Sequence, residues 1–289
     1  MFIVKFQTLI KQNFNKTLCN ELVLDLPKRW EKHGDLIVLP CDCFLAEFWK
    51  DLPQEKFWEC VAEGLHGKRI AKQGRISRNG YRSPQVSMLL GEDGWVTHVD
   101  NKIKYNFEVT KCMFASGNIT EKIRMAKLNA GEVVVDLFAG IGYFTLPLLV
   151  HAKAEFVHAC EWNPDAVDAL TRNIHDNKVH LKCKIYFGDN RTVCPHGVAN
   201  RVILGLIPTA QVSYATACKA LKPTGGILHI HCNVESKSNV CCNINEGFKF
   251  DKQVNYEKAW QANMLHIERV KSYAPHIDHI VLDLQIIQL

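Results

Sequence analysis

The pattern of hydrophobic and polar positions changes near residue 112. Beyond that point, continuous apolar runs typical of strands buried on both faces alternate with helical segments. The strand-like runs are EVVVDLFAG, AEFVHACEW, KCKIYFGD, NRVILGLI and GGILHIHCNV, and the helical segments are YFTLPLLVHA, NPDAVDALTRNIHDNK and AQVSYATACKALKP. Asn163 and Pro164 are a suitable cap and first-turn residue for the second helix. This alternation predicts a parallel sheet covered by helices on both faces.

Two further strand-like segments close the sequence, MLHIERVKSYAP and HIVLDLQIIQL, with a tight turn predicted at Pro275–Asp278. A terminal hairpin interrupts the alternation of strands and helices. Folds of S-adenosylmethionine-dependent transferases commonly end in this way, with an antiparallel strand inserted at the edge of the sheet. We therefore predict an α/β, Rossmann-like catalytic domain over residues 113–289.

The first 112 residues have a different organisation. DLIVLP is a predicted strand that ends at Pro40, and PQEKFWECVAEGLHG is a predicted helix. The turn dipeptides Asn79-Gly80, Asp93-Gly94 and Asp100-Asn101 separate β-prone runs and predict hairpins. Residues 1–112 are therefore expected to form a small α+β domain.

Composition narrows the class of protein. The 289 residues are 47% hydrophobic and 22% charged, as in ordinary globular proteins. No apolar run approaches the ~18 residues of a membrane span, and the N-terminus lacks the features of a secretory signal. The twelve cysteines include no CxxC pair, so we expect reduced thiols in a cytoplasmic protein and no metal site. The net charge of +5 permits a nucleic-acid partner without requiring one.

A glycine turn follows the first strand of the second domain. Gly140 and Gly142 allow a ligand to approach the backbone closely. Asp136 precedes them and has two possible roles: it organises the turn, or it contacts the ligand directly. By itself this turn is compatible with a dinucleotide, with a nucleoside or with no ligand. Thr145 occupies the third position of the G-x-G-x-x-G pattern, which argues against a nicotinamide dinucleotide.

Polar residues end the next two strands as well. Ligands of doubly wound sheets bind at the carboxyl ends of the strands. Glu161 is placed to accept hydrogen bonds from ribose hydroxyls, and Asp189 and Asn190 are placed to bind adenine. Together with the glycine turn, these residues indicate S-adenosylmethionine.

Several basic residues have two interpretations. Lys122 and Arg124 belong either to a solvated helix face or to a site for the carboxylate of the methionine part of the cofactor. The segment HGKRIAKQGRISRNGYRSP is either an ordinary charged surface or a strip that binds nucleic-acid phosphates, in which Tyr81 stacks on a base. His229 and His231 alternate on one strand and share a face, and without a third ligand nearby we expect packed histidines rather than a metal site.

Seven stretches resemble one family. MFASGNITEKIR, VVVDLFAGIGYFTLP, ACEWNPDAV, GDNR, RVILGLIPT, GGILHIHCNVES and VKSYAPHIDHIVLDL are similar to the tRNA wybutosine-synthesizing protein 2 family, and the resemblance runs from about residue 25 to the C-terminus. It implies a class I methyltransferase fold that uses S-adenosylmethionine. It also implies transfer of the 3-amino-3-carboxypropyl group to the tricyclic base at position 37, in the anticodon region of tRNA(Phe), with release of methylthioadenosine.

The resemblance also implies roles for individual residues. Lys122, Glu161, Asp189 and Asn190 match positions of the family that contact the cofactor, whereas a family serine is replaced by Ala115, which removes one hydroxyl. Because the tRNA guanine-37 N1 methyltransferases carry an Asn-Pro-type motif where this chain has LGLIPT, the resemblance favours aminocarboxypropyl transfer over methyl transfer. A non-catalytic tRNA-binding homologue is a third alternative, suggested by Ala115 and by a short N-terminus and a short segment at residues 237–264.

Overall fold

The computed structural model describes residues 2–74, 84–114, 116–128, 130–236 and 260–288. The chain divides into two compact units. The first comprises Met1–Asp100 and Lys104–Phe114, and the second comprises Asn101–Ile103 and Ala115–Leu289. The expected boundary after residue 112 lies near this division, and its assignment as a domain boundary stays a prediction. Within the described ranges, none of the helices has the length and apolar character that a membrane crossing needs.

The first unit combines short helices with small sheets. Strands β1 to β4 form one sheet in that order, in which β2 and β3 are parallel, and β5 and β6 form a separate two-stranded sheet. The elements are α1 (Phe2–Phe14), α2 (Asn20–Leu24), β1 (Glu31–His33), β2 (Leu36–Leu39), α3 (Glu47–Lys50), α4 (Gln54–Gly64), β3 (Arg69–Gln73), β4 (Val86–Leu90), β5 (Trp95–Asp100) and β6 (Ile103–Glu108).

The predicted strand before Pro40 and the predicted helix after Pro53 are confirmed as β2 and α4. The hairpin prediction is confirmed for β5 and β6, whose turn residues Asn101 and Lys102 have φ of +47° and +64°. The hairpin expected at Asp93-Gly94 is wrong, because the strands on either side of it belong to different sheets. The Asn79-Gly80 turn lies outside the described residues.

Helix α1 was not predicted. Its buried residues are Phe6, Leu9 and Ile10, a spacing that places them on one face of a helix. Phe6 packs against Trp49 and Phe57 with ring centroids 6.2 and 6.3 Å apart. The helix therefore contributes part of the aromatic core of the first unit.

The second unit has the predicted alternation of strands and helices. A 3₁₀ turn at Ser116–Asn118 leads into the first helix. The elements are α5 (Ile119–Met125), β7 (Val133–Asp136), α6 (Thr145–Val150), β8 (Phe156–Glu161), α7 (Pro164–Asp176), β9 (Cys183–Phe187), α8 (Asn190–Val193), β10 (Arg201–Leu204), α9 (Tyr214–Ala220), β11 (Gly226–Glu235), β12 (Trp260–Ala274) and β13 (Ile277–Gln288).

These strands form one seven-stranded sheet in the order β12-β13-β11-β10-β7-β8-β9. Strands β7 to β11 are parallel to one another, and β13 is antiparallel to both β11 and β12. The predicted terminal hairpin is thus confirmed, with its turn at Pro275 and His276 and with its second strand inserted one position from the edge. The fold is the predicted Rossmann-like one.

Both faces of the sheet are buried at its central strands β7 and β10, as the continuous apolar runs predict. Neighbouring residues of β7 belong to opposite cores: Val134 packs with Leu148 of α6, and Val135 packs with Ala217 of α9. Pro147 is tolerated in α6 because it lies in the first turn, where the backbone N–H has no acceptor within the helix. Asn163 caps α7 by accepting a hydrogen bond from Asp165 N at 3.0 Å.

Candidate functional site

The turn between β7 and α6 requires both of its glycines. Gly140 and Gly142 have φ of +54° and +102°, in the region that other residues seldom adopt. A Cβ on Gly140 would lie 2.7 Å from the Tyr143 ring, and one on Gly142 would lie 3.0 Å from Leu146 and Leu170. Neighbouring side chains therefore leave no room for a Cβ at either position, so the turn requires glycine at both.

Asp136 fastens this turn from inside. Its side chain is fully buried, and it accepts hydrogen bonds from the Thr145 hydroxyl at 2.8 Å and from Phe138 N at 3.3 Å. Burial raises the pKa of Asp136 to about 6, because the charged form is poorly solvated and the two hydrogen bonds compensate only in part. With both oxygens engaged inside the turn, Asp136 acts as an organiser of the loop.

Glu161 connects the end of β8 to the same turn. Its Oε2 accepts from Gly140 N at 2.7 Å, and its Oε1 accepts from Trp162 N at 2.9 Å and Asn163 N at 2.8 Å. Burial raises the pKa of Glu161, and the three amide hydrogen bonds oppose that shift. A carboxylate has about four acceptor positions, so Oε2 has room for about one further donor. The side chain is partly exposed and is able to offer that position to a ligand.

Asp189 and Asn190 follow β9 at the same edge of the sheet. Arg191, which is not among the predicted site residues, donates to both oxygens of Asp189 through Nε, at 3.0 and 3.1 Å, and through Nη2. Hydrogen bonding to Arg191 lowers the pKa of Asp189. Asn190 is buried; its Nδ2 donates to Leu137 O at 3.1 Å, and its Oδ1 accepts from Ser213 Oγ at 2.9 Å. The adenine contacts of both residues stay predictions.

The two predicted cations of α5 have different surroundings. Arg124 forms ion pairs with Glu121 and Asp283, whose carboxylates engage its three guanidinium nitrogens. Lys122 is buried, and its Nζ lies 5.9 Å from the centroid of the Tyr143 ring, beside the glycine turn. Of the two, Lys122 is therefore the candidate for the cofactor carboxylate, and Arg124 holds the fold together.

The Arg124 ion pairs belong to a larger buried network. Asp283 also accepts from His229 Nδ1, and His229 Nε2 lies 2.6 Å from Arg201 Nη1, which can only donate. His229 is therefore neutral, with its hydrogen on Nδ1, in keeping with a pKa lowered by burial. Burial disfavours the charge of Asp283, but hydrogen bonds from His229 and Arg124 outweigh this effect and lower its pKa.

Some predicted site residues cannot be placed. Ala115 lies outside the described residues, as do residues 75–83, which include three of the six basic residues of the strip and Tyr81. Of the rest of the strip, Arg69 pairs with Asp35 at 2.7 Å and with Asp93 at 3.0 Å, and Lys72 donates to Cys43 O at 2.6 Å. These two residues are thus engaged within the first unit.

The chain matches two family models. Residues 96–256 match the TRM5/TYW2 methyltransferase domain, and residues 10–94 match the TYW2 N-terminal domain. The chain is 47% identical to the tRNA wybutosine-synthesizing protein 2 homolog of Homo sapiens, over 92% of this chain and 70% of that protein. The homolog of Danio rerio is 48% identical, over 93% of this chain and 74% of that protein.

Solved structures are similar along most of the chain. Pyrococcus horikoshii TYW2 in complex with MeSAdo has a TM-score of 0.79 and 32% identity, covering 99% of both chains. M. jannaschii TYW2 in complex with AdoMet has a TM-score of 0.69 and 28% identity, covering 90% of this chain and 100% of that one. Trm5b from Pyrococcus abyssi, at 24% identity and a TM-score of 0.72, shares the fold.

Proposed function

This chain belongs to the tRNA wybutosine-synthesizing protein 2 family, and from that membership we propose that it is a tRNA aminocarboxypropyltransferase. It transfers the 3-amino-3-carboxypropyl group of S-adenosylmethionine to a base of tRNA and releases methylthioadenosine. The finer assignment that we propose is the tricyclic wybutosine precursor at position 37, in the anticodon region of tRNA(Phe).

The observation that carries the proposal is the joint position of Glu161 and the glycine turn. The Glu161 carboxylate is fixed by Gly140 N at 2.7 Å, and its Oε2 retains acceptor capacity for a ribose hydroxyl. The turn that contains Gly140 N needs glycine at position 142 as well, because a Cβ there would lie 3.0 Å from Leu146 and Leu170. These features fit a nucleoside, and they sit at the carboxyl ends of strands, where ligands of this fold bind.

Further residues complete the proposed binding of the donor. Lys122 supplies positive charge for the carboxylate of the methionine part, beside Tyr143. Asp189 accepts a hydrogen bond from the adenine amino group, and Arg191 competes with adenine for the Asp189 carboxylate. Asn190 fixes the end of β7 through Leu137 O, so we assign it a supporting role.

The chemistry then depends on orientation. The donor supplies a sulfonium, in which all three attached carbons are activated toward a nucleophile. The group transferred is decided by which carbon faces the tRNA base, so the protein contributes chiefly through positioning. Because the sulfonium is activated without a Lewis acid, we propose a reaction that needs no metal, and full activity in a chelator such as EDTA is the expected result.

We also propose a cytoplasmic location. The cysteines of the described residues carry free thiols, among them the exposed Cys19 and Cys41. Free thiols are usual in reducing compartments, so they support this location.

A single assay tests the activity. The chain is incubated with S-adenosylmethionine and tRNA(Phe) carrying the tricyclic precursor, and nucleosides and small products are measured by mass spectrometry. We expect the aminocarboxypropyl nucleoside together with methylthioadenosine. S-adenosylhomocysteine with a methylated base would overturn the proposal, and so would an absence of any product while the tRNA is bound. The Glu161→Ala variant serves as the control that cannot hold the ribose.

A further inference from the structure

Two buried histidines face each other at the carboxyl end of the sheet. His231 of β11 and His279 of β13 are each 1% exposed, and His231 Nδ1 lies 3.0 Å from His279 Nε2. The other two ring nitrogens, His231 Nε2 and His279 Nδ1, are buried and have no hydrogen-bond partner in the part of the chain that the structure describes. Buried polar atoms are nearly always partnered in folded proteins, so this pair requires an explanation.

The geometry of the pair fixes what it offers to a ligand. One hydrogen lies between the two rings, donated by either His231 Nδ1 or His279 Nε2, and each neutral ring carries one hydrogen. If His231 donates, its Nε2 is an acceptor and His279 Nδ1 is a donor. If His279 donates, the two outer roles are exchanged. In both arrangements the pair presents one free acceptor and one free donor.

The pair lies next to the glycine turn and the LGLIPT loop. The His231 ring is 4.9 Å from the ring of Phe144, which directly precedes α6. Asn233, two residues beyond His231, donates its backbone N–H to Pro208 O at 2.9 Å. The histidines are therefore at the edge of the sheet where the donor is proposed to bind.

Two asparagine oxygens extend this group of unsatisfied atoms. Asn233 is the cross-strand partner of His279, and its Oδ1 is buried without a partner among the residues described, as is Oδ1 of Asn118. A Cβ built on Gly117 would lie 2.6 Å from Lys271 Nζ, and Lys271 is the partner of His279 on β12. Unpartnered polar atoms of β11 and β13 thus lie on neighbouring residues of the two strands, as expected where a polar ligand completes the hydrogen bonding.

The surroundings keep both histidines neutral. Burial lowers the pKa of His279 to about 4, and Lys271 of β12 adds to the effect. Burial lowers the pKa of His231 well below its usual value, with contributions from His279 and His229 and from Arg124 of α5, whereas Asp283 of β13 acts in the opposite direction. A proton acceptor is therefore available at physiological pH.

We propose that the His231–His279 pair accepts the proton that the tRNA base loses during alkylation. This inference rests on the aminocarboxypropyl transfer proposed above. As the base attacks carbon, the electron pair of the breaking C–S bond moves to sulfur, and methylthioadenosine leaves as a neutral thioether. The alkylated base is then a cation, and it returns to neutrality by giving one proton to the pair. A weakly basic imidazole suffices, since the cationic base is a strong acid, and the proton leaves the pair to water after product release.

The first test separates proton transfer from binding. We expect His231→Gln and His279→Gln to lower the single-turnover rate at least about 100-fold, the lower end of the usual effect of losing a general base. Affinities for S-adenosylmethionine and for tRNA(Phe) carrying the tricyclic precursor, measured by calorimetry, should stay within twofold. His158→Gln is the matched control, because His158 is a half-buried histidine of β8 bonded to Tyr186 OH at 3.0 Å, within the same sheet.

Chemical rescue gives a second criterion. Added imidazole should restore activity to His231→Gly, and a series of substituted imidazoles should restore it in proportion to their basicity. Rescue that depends on size alone, or variants with the wild-type rate, would overturn the inference. Wild-type protein without any transferase activity would instead contradict the proposed function on which the inference rests.

A third measurement needs no variant. In wild-type protein labelled with ¹⁵N-histidine, the imidazole signals of His231 and His279 should change when methylthioadenosine and modified tRNA are bound, because the outer nitrogens acquire partners. Signals unchanged in the product complex would show that the pair does not contact the ligands, and would refute the proposal independently of any rate.

Discussion

Replacement of Glu161 by glutamine tests the central element of the proposed cofactor site. The change keeps the shape of the side chain but converts one acceptor oxygen into a donor NH₂ group. In the native protein, Oε1 accepts from two backbone amides and Oε2 accepts from Gly140 N. If glutamine keeps the two bonds at Oε1, its NH₂ group faces Gly140 N, so two donors meet and the ribose hydroxyl loses its acceptor.

The expected size of the effect follows from these hydrogen bonds. An unsatisfied buried donor lowers the free energy of unfolding of a protein by about 1–3 kcal/mol, and loss of a hydrogen bond to a charged group weakens an interaction by about 1.5–3 kcal/mol. The hydrogen bond lost to ribose therefore weakens S-adenosylmethionine binding about 10- to 100-fold. The mismatch at Gly140 lowers Tm by several degrees, since 1 kcal/mol corresponds to roughly 2–4 °C in a protein near this size.

Calorimetric titration and thermal unfolding together check this prediction. Glu155→Gln is the matched control, because Glu155 is an exposed carboxylate just before the opposite end of the same strand. The control should change neither quantity. If Glu161→Gln lowered Tm but bound S-adenosylmethionine with wild-type affinity, Glu161 would be an organiser of the turn and not a ribose ligand.

Three other substitutions distinguish organising residues from ligand-binding ones. The pKa of Asp136 is raised to about 6 on folding, so the native state binds this proton more tightly and the free energy of unfolding of the wild-type protein decreases as pH rises from about 4 to about 6. Asp136→Asn should show no such decrease in urea unfolding. A difference in unfolding free energy between variant and wild type that stays constant from pH 4.5 to 7.5 would contradict this prediction. Arg124→Met leaves two buried carboxylates without their cation and should destabilise the fold by about 3–5 kcal/mol, whereas Arg172→Ala, at an exposed pair, should have an effect below about 1 kcal/mol in the same assay. Arg191→Ala frees Asp189 and should tighten S-adenosylmethionine binding, whereas Asp189→Asn should weaken it about tenfold by calorimetry; equal affinities in both variants would exclude the adenine contact.

Most of the second unit was predictable because its signals are local. Apolar runs identified its strands, and polar residues at the carboxyl ends of those strands identified the edge of the sheet where the donor is proposed to bind. The choice between Lys122 and Arg124 was not local. Residues two apart on a helix point in different directions. Arg124 points toward Asp283, its ion-pair partner, which follows it by 159 residues. Sequence spacing contains no information about such a distant partner.

Other differences have similar causes. The hairpin expected at Asp93-Gly94 fails because a turn dipeptide does not determine which strands pair on either side of it. Arg191 had a local signal, two residues after Asp189, where its side chain can reach back to the residue that caps α8. Only one member of the histidine pair had a local signal. The alternation of His229 and His231 on one strand was visible in the sequence, whereas His279 is brought next to His231 only by the inserted strand β13.

The position of β13 also sets an order of events during synthesis. This strand is translated after every strand beside which it lies, and it enters the sheet between β11 and β12. Until it emerges from the ribosome, Arg124 lacks Asp283 and His231 lacks His279. A nascent chain can therefore form the glycine turn early, but it acquires the proposed proton acceptor only in the final step of sheet assembly. Ribosome-bound chains that end before Ile277 are accordingly expected to lack transferase activity.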